Sequence, residues 1–323
     1  MDKTSARVAV VQAGTTLFDT PATLDRMQAL CEQAQGRDLG LVVFPEAYIG
    51  GYPKGLDFGA RLGTRSAAGR DDFVRYFESA ISVPGPETLR MGEFAAALRT
   101  TLVVGVIERS AATLYCTAVF FGPDGALRAK HRKLMPTALE RLVWGFGDGS
   151  TLPVVDTALG KAAAAICWEN YMPQLRTALY ASGTQFWCAP TVDDRDVWQS
   201  SMKHIAVEGR CFVLSACQYL QRKDAPASYD CIQGNDPATV LIRGGSVIVS
   251  PLGEVLAGPL YGEEGLLVAE VDPADLARGK YDLDVAGHYA RPDVFTLQVN
   301  RAAQSPIVDM PPARPTAQAC DAV

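Results

Sequence analysis

Ala-Ala-Ala-Ala-Ile-Cys-Trp-Glu-Asn, residues 162–170, changes character at Cys167. The small apolar run before it reads as a strand buried on both faces, the pattern of a parallel sheet. Trp168, Glu169 and Asn170 break that pattern, and Pro173 then opens a helix. Cys167 therefore stands at the lip of a buried strand, just ahead of a helix N-terminus. Ligand sites in layered α/β proteins form at such strand ends, and a thiol placed there is a candidate nucleophile. Inside the run a cysteine would read as a small core hydrophobe.

Two further residues end apolar runs in the same way. Glu46 closes Leu-Val-Val-Phe-Pro-Glu (41–46), and Lys133 lies in Lys-His-Arg-Lys-Leu-Met-Pro (130–136). A buried carboxylate is costly unless paired, so the plain reading of Glu46 is an ion pair with Lys133. The chemical reading is a general base whose pKa burial raises toward the working pH, and the two are compatible. Lys130 and Arg132 read as solvated charge, whereas Leu134-Met135-Pro136 turns the chain inward after Lys133. An ammonium in that position can face charge developing on a tetrahedral intermediate, with the Trp168 backbone N–H as a second donor.

Strand signals recur at 7–12, 39–44, 102–108, 114–121, 126–130, 162–167, 185–189, 211–218, 245–250 and 266–271. Thr20-Pro21 predicts a helix start, with Leu24, Met27, Cys31 and Ala34 along one face. Asp196 predicts the cap of a second helix, and Pro173 opens a third that stops at Ser182-Gly183. Proline–glycine turns at 121–126 and 249–254 predict two hairpins. Residues 51–70 and 222–239 read as loops. The alternation fits an α/β protein of sheets covered by helices. No linker interrupts it, so residues 1–303 are expected to form one domain, with a poorly ordered tail at 304–323.

Of 323 residues, 48% are hydrophobic and 20% charged, with a formal net charge of −6. That balance argues against nucleic acid, which needs a basic footprint. No apolar run approaches the length of a membrane span, and the N-terminus shows no signal-peptide pattern. Eight cysteines (31, 116, 167, 188, 211, 217, 231 and 320) lie scattered without a Cys-x-x-Cys pair. A reduced, cytoplasmic protein is expected. His131 invites a Cys–His dyad, but Glu46 and Lys133 are the preferred partners. No His/Cys/carboxylate cluster has metal-ligand spacing, so no metal is expected. Gly145-Phe-Gly-Asp-Gly lacks the lysine of a phosphate loop.

Phe-Pro-Glu, His-Arg-Lys-Leu-Met-Pro and Cys-Trp-Glu-Asn, in that order, resemble the nitrilase (carbon–nitrogen hydrolase) superfamily. The resemblance runs from Val8 to about Leu297. The continuation of the second motif to Ser150, and Cys-Trp-Glu-Asn-Tyr-Met-Pro, look like the true nitrilases rather than the amidase branches. Residues 189–199 and 281–292 are similar to plant and bacterial nitrilases, including cyanoalanine-handling ones. The resemblance implies a four-layer αββα sandwich, a Glu46–Lys133–Cys167 triad, and Glu140 beside it as a group orienting substrate and water. It also implies hydrolysis of a nitrile to a carboxylic acid and ammonia through a thioimidate and a thioester, with no cofactor. Homodimers through 173–181 and 196–210 are implied, and larger spirals through the loops at 51–70 and 222–239, although the tail is short for filaments. Trp168, Tyr52, Trp144, Pro190 and Thr191 are candidate pocket residues for an apolar substrate. An amidase with the same triad, or a catalytically silent oligomeric scaffold, are the competing readings.

Overall fold

The computed structural model describes residues 5–307. Six strands form the first sheet: β1 (Ala6–Gln12), β2 (Leu39–Val43), β5 (Thr101–Ser110), β6 (Thr113–Phe121), β7 (Leu127–Arg132) and β15 (Gly265–Val271), in the order β15-β1-β2-β5-β6-β7. Strands β3 (Ala60–Arg61) and β4 (Thr64–Arg65) make a small separate hairpin. The second sheet holds β8 (Val155–Thr157), β9 (Gly160–Ala164), β10 (Phe186–Thr191), β11 (Phe212–Cys217), β12 (Tyr219–Gln221) and β13 (Val240–Val249). Its order is β12-β13-β11-β10-β9-β8, with β14 (Val255–Tyr261) also paired to β13. The central neighbours β1, β2 and β5 run parallel, as do β9, β10 and β11.

The alternation of side chains along these strands explains both the layering and the unbroken apolar runs. Val8 and Val10 of β1 share one core with Ala162 and Ala164 of β9 and with Leu214 of β11, so that core lies between the sheets. Ala9 and Val11 point the other way, onto Leu24 and Met27 of helix α1 (Thr20–Ala34). The same outer face takes Met91 and Ala95 of helix α3 (Pro86–Leu98), which follows α2 (Ala67–Ser79). In the second sheet Ala163 and Trp187 pack outward against Leu179 of α4 (Pro173–Ala181) and Trp198 and Met202 of α5 (Asp196–Gly209). Helix, sheet, sheet and helix are thus stacked as an αββα sandwich, as expected. A last helix, α6 (Ala274–Lys280), follows β15.

Several local expectations shift. The strand expected at 162–167 stops at Ala164. Cys167 instead starts a 3-10 turn with φ +52°, in the left-handed region that side chains avoid. Asp19, not Thr20, caps α1, accepting from Ala22 N, while the Thr20 hydroxyl donates to Ser79 O. Arg195 occupies the α5 cap position and Asp196 the first turn, where its carboxylate pairs with Arg243. The stretch 51–70 is not all loop, since it contains the small hairpin and the start of α2. Both expected hairpin turns form, joining β6 to β7 and β13 to β14. Residues 304–307 have no regular structure, and the rest of the expected tail lies outside the described residues.

Candidate active site

Glu46 lies just beyond the C-terminal end of β2, in a turn where Ala47 also takes a positive φ of 49°. That turn sits hard against β5. A side chain on Gly105 would place its Cβ 2.2 Å from Pro45 O and 2.7 Å from Glu46 Cα, so only glycine lets the acid come this close. Lys133 directly follows β7, and its N–H is fixed on Cys116 O at 2.8 Å. Its ammonium donates to Glu46 Oε1 at 2.7 Å and to Glu140 Oε2 at 2.8 Å. Both Glu46 and Lys133 are fully enclosed.

The remaining oxygens of the two carboxylates are also occupied. Glu46 Oε2 accepts from Val192 N at 3.1 Å. Glu140 Oε1 accepts from the Tyr52 hydroxyl at 2.8 Å, and its Oε2 also accepts from Thr137 N at 2.6 Å. Cys116 Sγ lies 3.6 Å from Glu46 Oε1, a neighbour that nothing in its apolar sequence context signals.

Cys167 is held by the residues that follow it. Asn170 Nδ2 donates to both Ala165 O and Cys167 O at 2.8 Å, and its Oδ1 accepts from the Trp187 indole. Glu169 accepts from Ile166 N at 2.8 Å, Leu134 N at 2.6 Å and His131 Nε2 at 2.9 Å. The Glu and Asn of Cys-Trp-Glu-Asn therefore lock the strained turn, and Glu169 ties it to the segment that carries Lys133. His131 is no partner for the thiol. Its Nδ1 faces Thr151 O at 2.6 Å and its Nε2 a carboxylate, so both nitrogens donate and the ring is an imidazolium. Burial opposes that charge, but Glu169 and the Thr151 carbonyl outweigh burial and raise its pKa.

Burial pushes the Cys167 thiol up, and the Glu46 charge adds to the effect while Lys133 opposes it. Burial likewise raises Glu46, against the pull of Lys133. Lys133 is raised despite burial because Glu46, the thiol and Glu140 all favour its charged form. Burial thus disfavours a free thiolate here, and the Lys133 ammonium lies between the carboxyl groups of Glu46 and Glu140. A nucleophilic sulfur must be made by passing its proton to a base at the moment of attack.

A cavity of about 320 Å³ opens beside this cluster. Tyr52, Glu140 and Trp144 form its inner wall, and Leu139, Leu142 and Ile232 stand at its rim. Of the five pocket candidates, Tyr52 and Trp144 line it and Trp168, Pro190 and Thr191 do not. Trp168 is 42% exposed, with its indole on Asp193 Oδ2 and the Arg195 guanidinium over its ring. Pro190 and Thr191 are buried in β10, and the Thr191 hydroxyl sits 3.2 Å from Cys167 Sγ. Among the described residues no group of His, Cys, Asp or Glu is arranged to hold a metal ion.

The carbon–nitrogen hydrolase model matches residues 7–281, across all three motifs. The chain belongs to the carbon–nitrogen hydrolase family. It is 55% identical over 307 residues to a bifunctional nitrilase/nitrile hydratase of Nicotiana tabacum, covering 94% of this chain and 88% of that protein. An aliphatic nitrilase of Sinorhizobium fredii is 53% identical over 305 residues, covering 94% and 99%. Among solved structures, the nematode NitFhit protein aligns with a TM-score of 0.72 at 19% identity, over 95% of this chain and 70% of that one. The yeast Nit3 protein aligns with a TM-score of 0.66 at 22% identity, over 88% and 96%. These two show the shared fold.

Proposed function

We infer that the protein is a nitrilase that converts an organic nitrile to its carboxylic acid and ammonia. The observation that carries the reading is identity of 53–55% along 94% of the chain to nitrilases of both plant and bacterial origin. The buried Glu46–Lys133–Glu140 cluster beside Cys167 supplies chemistry that fits it.

In the reaction we assign, Cys167 Sγ attacks the nitrile carbon while its proton passes to Glu46 and from there to the nitrile nitrogen, giving a thioimidate and returning Glu46 to its basic form. Water, deprotonated by Glu46, then adds to that carbon. The Lys133 ammonium and the Trp168 N–H stabilise charge on the tetrahedral intermediate. Glu140, tied to Lys133 and Tyr52, orients the substrate and the water. Loss of ammonia leaves a thioester, and a second water releases the acid and restores the thiol. No cofactor enters this scheme.

Expulsion of the thiol instead of ammonia would give an amide. The description of plant relatives as both nitrilase and nitrile hydratase favours some leakage along this branch. A barrier difference of about 1.4 kcal/mol changes the product ratio tenfold. Paired nitrile and amide substrates, with ammonia, acid and amide all measured, test the reading. Nitrile consumption with acid as the main product is expected; amide turnover without nitrile turnover would make the protein an amidase. A folded wild type inert toward a broad panel of both would leave a scaffold.

We also propose a cytoplasmic homo-oligomer. No helix among the described residues is long and apolar enough to cross a membrane, and the seven described cysteines are free. Exposed Tyr171, Val197 and Val207, along the 3-10 turn and α5, offer an apolar face for a second copy. Sedimentation at micromolar concentration tests this, and a monomer would contradict it.

A further inference from the structure

The short turn after β10 reaches three parts of the site at once. Thr191 Oγ1 lies 3.2 Å from Cys167 Sγ, with both side chains buried. The Asp193 N–H donates to that same hydroxyl oxygen at 2.9 Å. Between them, the Val192 N–H donates to Glu46 Oε2 at 3.1 Å. The Asp193 carboxylate accepts from the Trp168 indole at 2.8 Å and from the Arg195 guanidinium at 2.5 Å. Three consecutive residues therefore hold the sulfur, the carboxylate and the residue after the sulfur.

The direction of the Thr191 contact follows from its surroundings. A hydroxyl has one proton and two lone pairs. With Asp193 N–H directed at the oxygen, the hydroxyl hydrogen is left to point at sulfur. Thr191 is also β-branched and sits at the end of a buried strand, so its rotamer is stiff and the donor is already aimed.

We propose that Thr191 is a further catalytic residue, whose hydroxyl donates to Cys167 Sγ and stabilises the sulfur as it becomes negative during attack. The thiol proton goes to Glu46, and the threonine proton stays on its own oxygen throughout. A hydrogen bond to an ionised acceptor is roughly twice as strong as one to a neutral acceptor, so the contact favours the reacting state over the resting thiol. The same donor would stabilise sulfur again when it leaves the thioester. Burial and the nearby carboxylates both disfavour a negative sulfur here, which is where such a donor has most effect. The proposal rests on Cys167 being the nucleophile, the role given it above.

Thr191→Val keeps the shape and removes the donor, and Thr191→Ser keeps the donor. The test is the rate of Cys167 alkylation by iodoacetamide across pH, read by peptide mass spectrometry, together with steady-state nitrile kinetics. The valine variant should alkylate about 10–100-fold more slowly, with its rate rising only at higher pH. Its kcat should fall by a similar factor at nearly unchanged KM, and the serine variant should stay within a few-fold of wild type. Wild-type alkylation and pH dependence in a folded valine variant would overturn the proposal. If valine prevents folding, Thr191→Ala makes the same comparison with the same two outcomes. Alkylation needs no nitrile, so a wild type without nitrile turnover would sink the nitrilase reading separately.

Discussion

The inner cluster and the rim of the cavity are built on opposite principles. Glu46 and Lys133 are fully enclosed, Glu140 nearly so, and every carboxylate oxygen has a donor. At the rim Leu139, Leu142 and Ile232 are 71%, 60% and 84% exposed, on a 3-10 turn and a loop. The loop is organised by the Arg222 side chain. It donates to the carbonyls of Ala225, Ala227 and Tyr229 and to Asn235, and the Tyr229 hydroxyl then donates to Lys54 O, a residue that also lines the cavity. A network with every partner satisfied tolerates little change, whereas an exposed apolar rim tolerates much. The contrast supports the proposed division, with bond chemistry in the cluster and choice of substrate in the loops.

The largest effect is expected from Lys133→Met. It removes the proposed oxyanion donor and leaves two carboxylates facing each other, so kcat should drop by at least about 10³-fold. Stability should fall by about 3–5 kcal/mol, as for breaking other buried pairs. The loss should depend on pH. Without the ammonium, the folded Glu46 pKa rises further above its unfolded value, so it favours the protonated form. Its contribution is then most favourable below the ordinary carboxylate range and is lost as pH rises through the folded value. Urea midpoints of the variant should therefore approach wild type at pH 5 and separate at pH 8. A constant gap would contradict the pairing.

Glu140→Gln keeps an acceptor for Tyr52 but removes one charge from Lys133. About 10²-fold in kcat is expected, with the fold intact. At the rim, Ile232→Ala should lower kcat/KM for long nitriles relative to short ones by about tenfold. It should leave iodoacetamide alkylation of Cys167 unchanged. Equal effects of the rim variant on both would erase the distinction between the two regions.

The smallest effect on activity is expected at Glu108, a buried acid outside the site. Burial opposes its charge, but hydrogen bonds and charges from Arg132 and Lys130 outweigh burial and lower its pKa. A lowered carboxylate stabilises the fold above its unfolded pKa, and that contribution disappears as pH falls through the folded one. Glu108→Gln should thus cost about 1–3 kcal/mol at pH 7 and progressively less in acid, with kcat unchanged. Chemical denaturation at two pH values decides this.

Strands β2, β5, β6, β10, β11 and β13 were legible because they are buried on both faces, so their apolar runs are nearly unbroken; α4 was legible from Pro173 and Gly183. Helix α3 was not. Its cap is Gly85, and Gly92 sits in its middle because a Cβ there would come 2.3 Å from Gly125 O. The close approach is a tertiary requirement that outweighs helix propensity. Within the site, Glu46, Lys133 and Cys167 stood out as strand-end residues, and Glu140 only through family resemblance. The structural duty of Glu169 and the contact of Thr191 with sulfur were hidden. Each joins segments that meet only in the folded chain, so no local pattern marks it.

Cys167 is the residue proposed to form the covalent intermediate. Wild-type enzyme quenched in acid during turnover of a nitrile, then digested and weighed, tests it most directly. A thioimidate or thioester adduct is expected on the peptide containing Cys167 and absent from the Cys167→Ala variant, which should release no ammonia. Ammonia release by that variant at the wild-type rate, or an adduct on another residue, would contradict it.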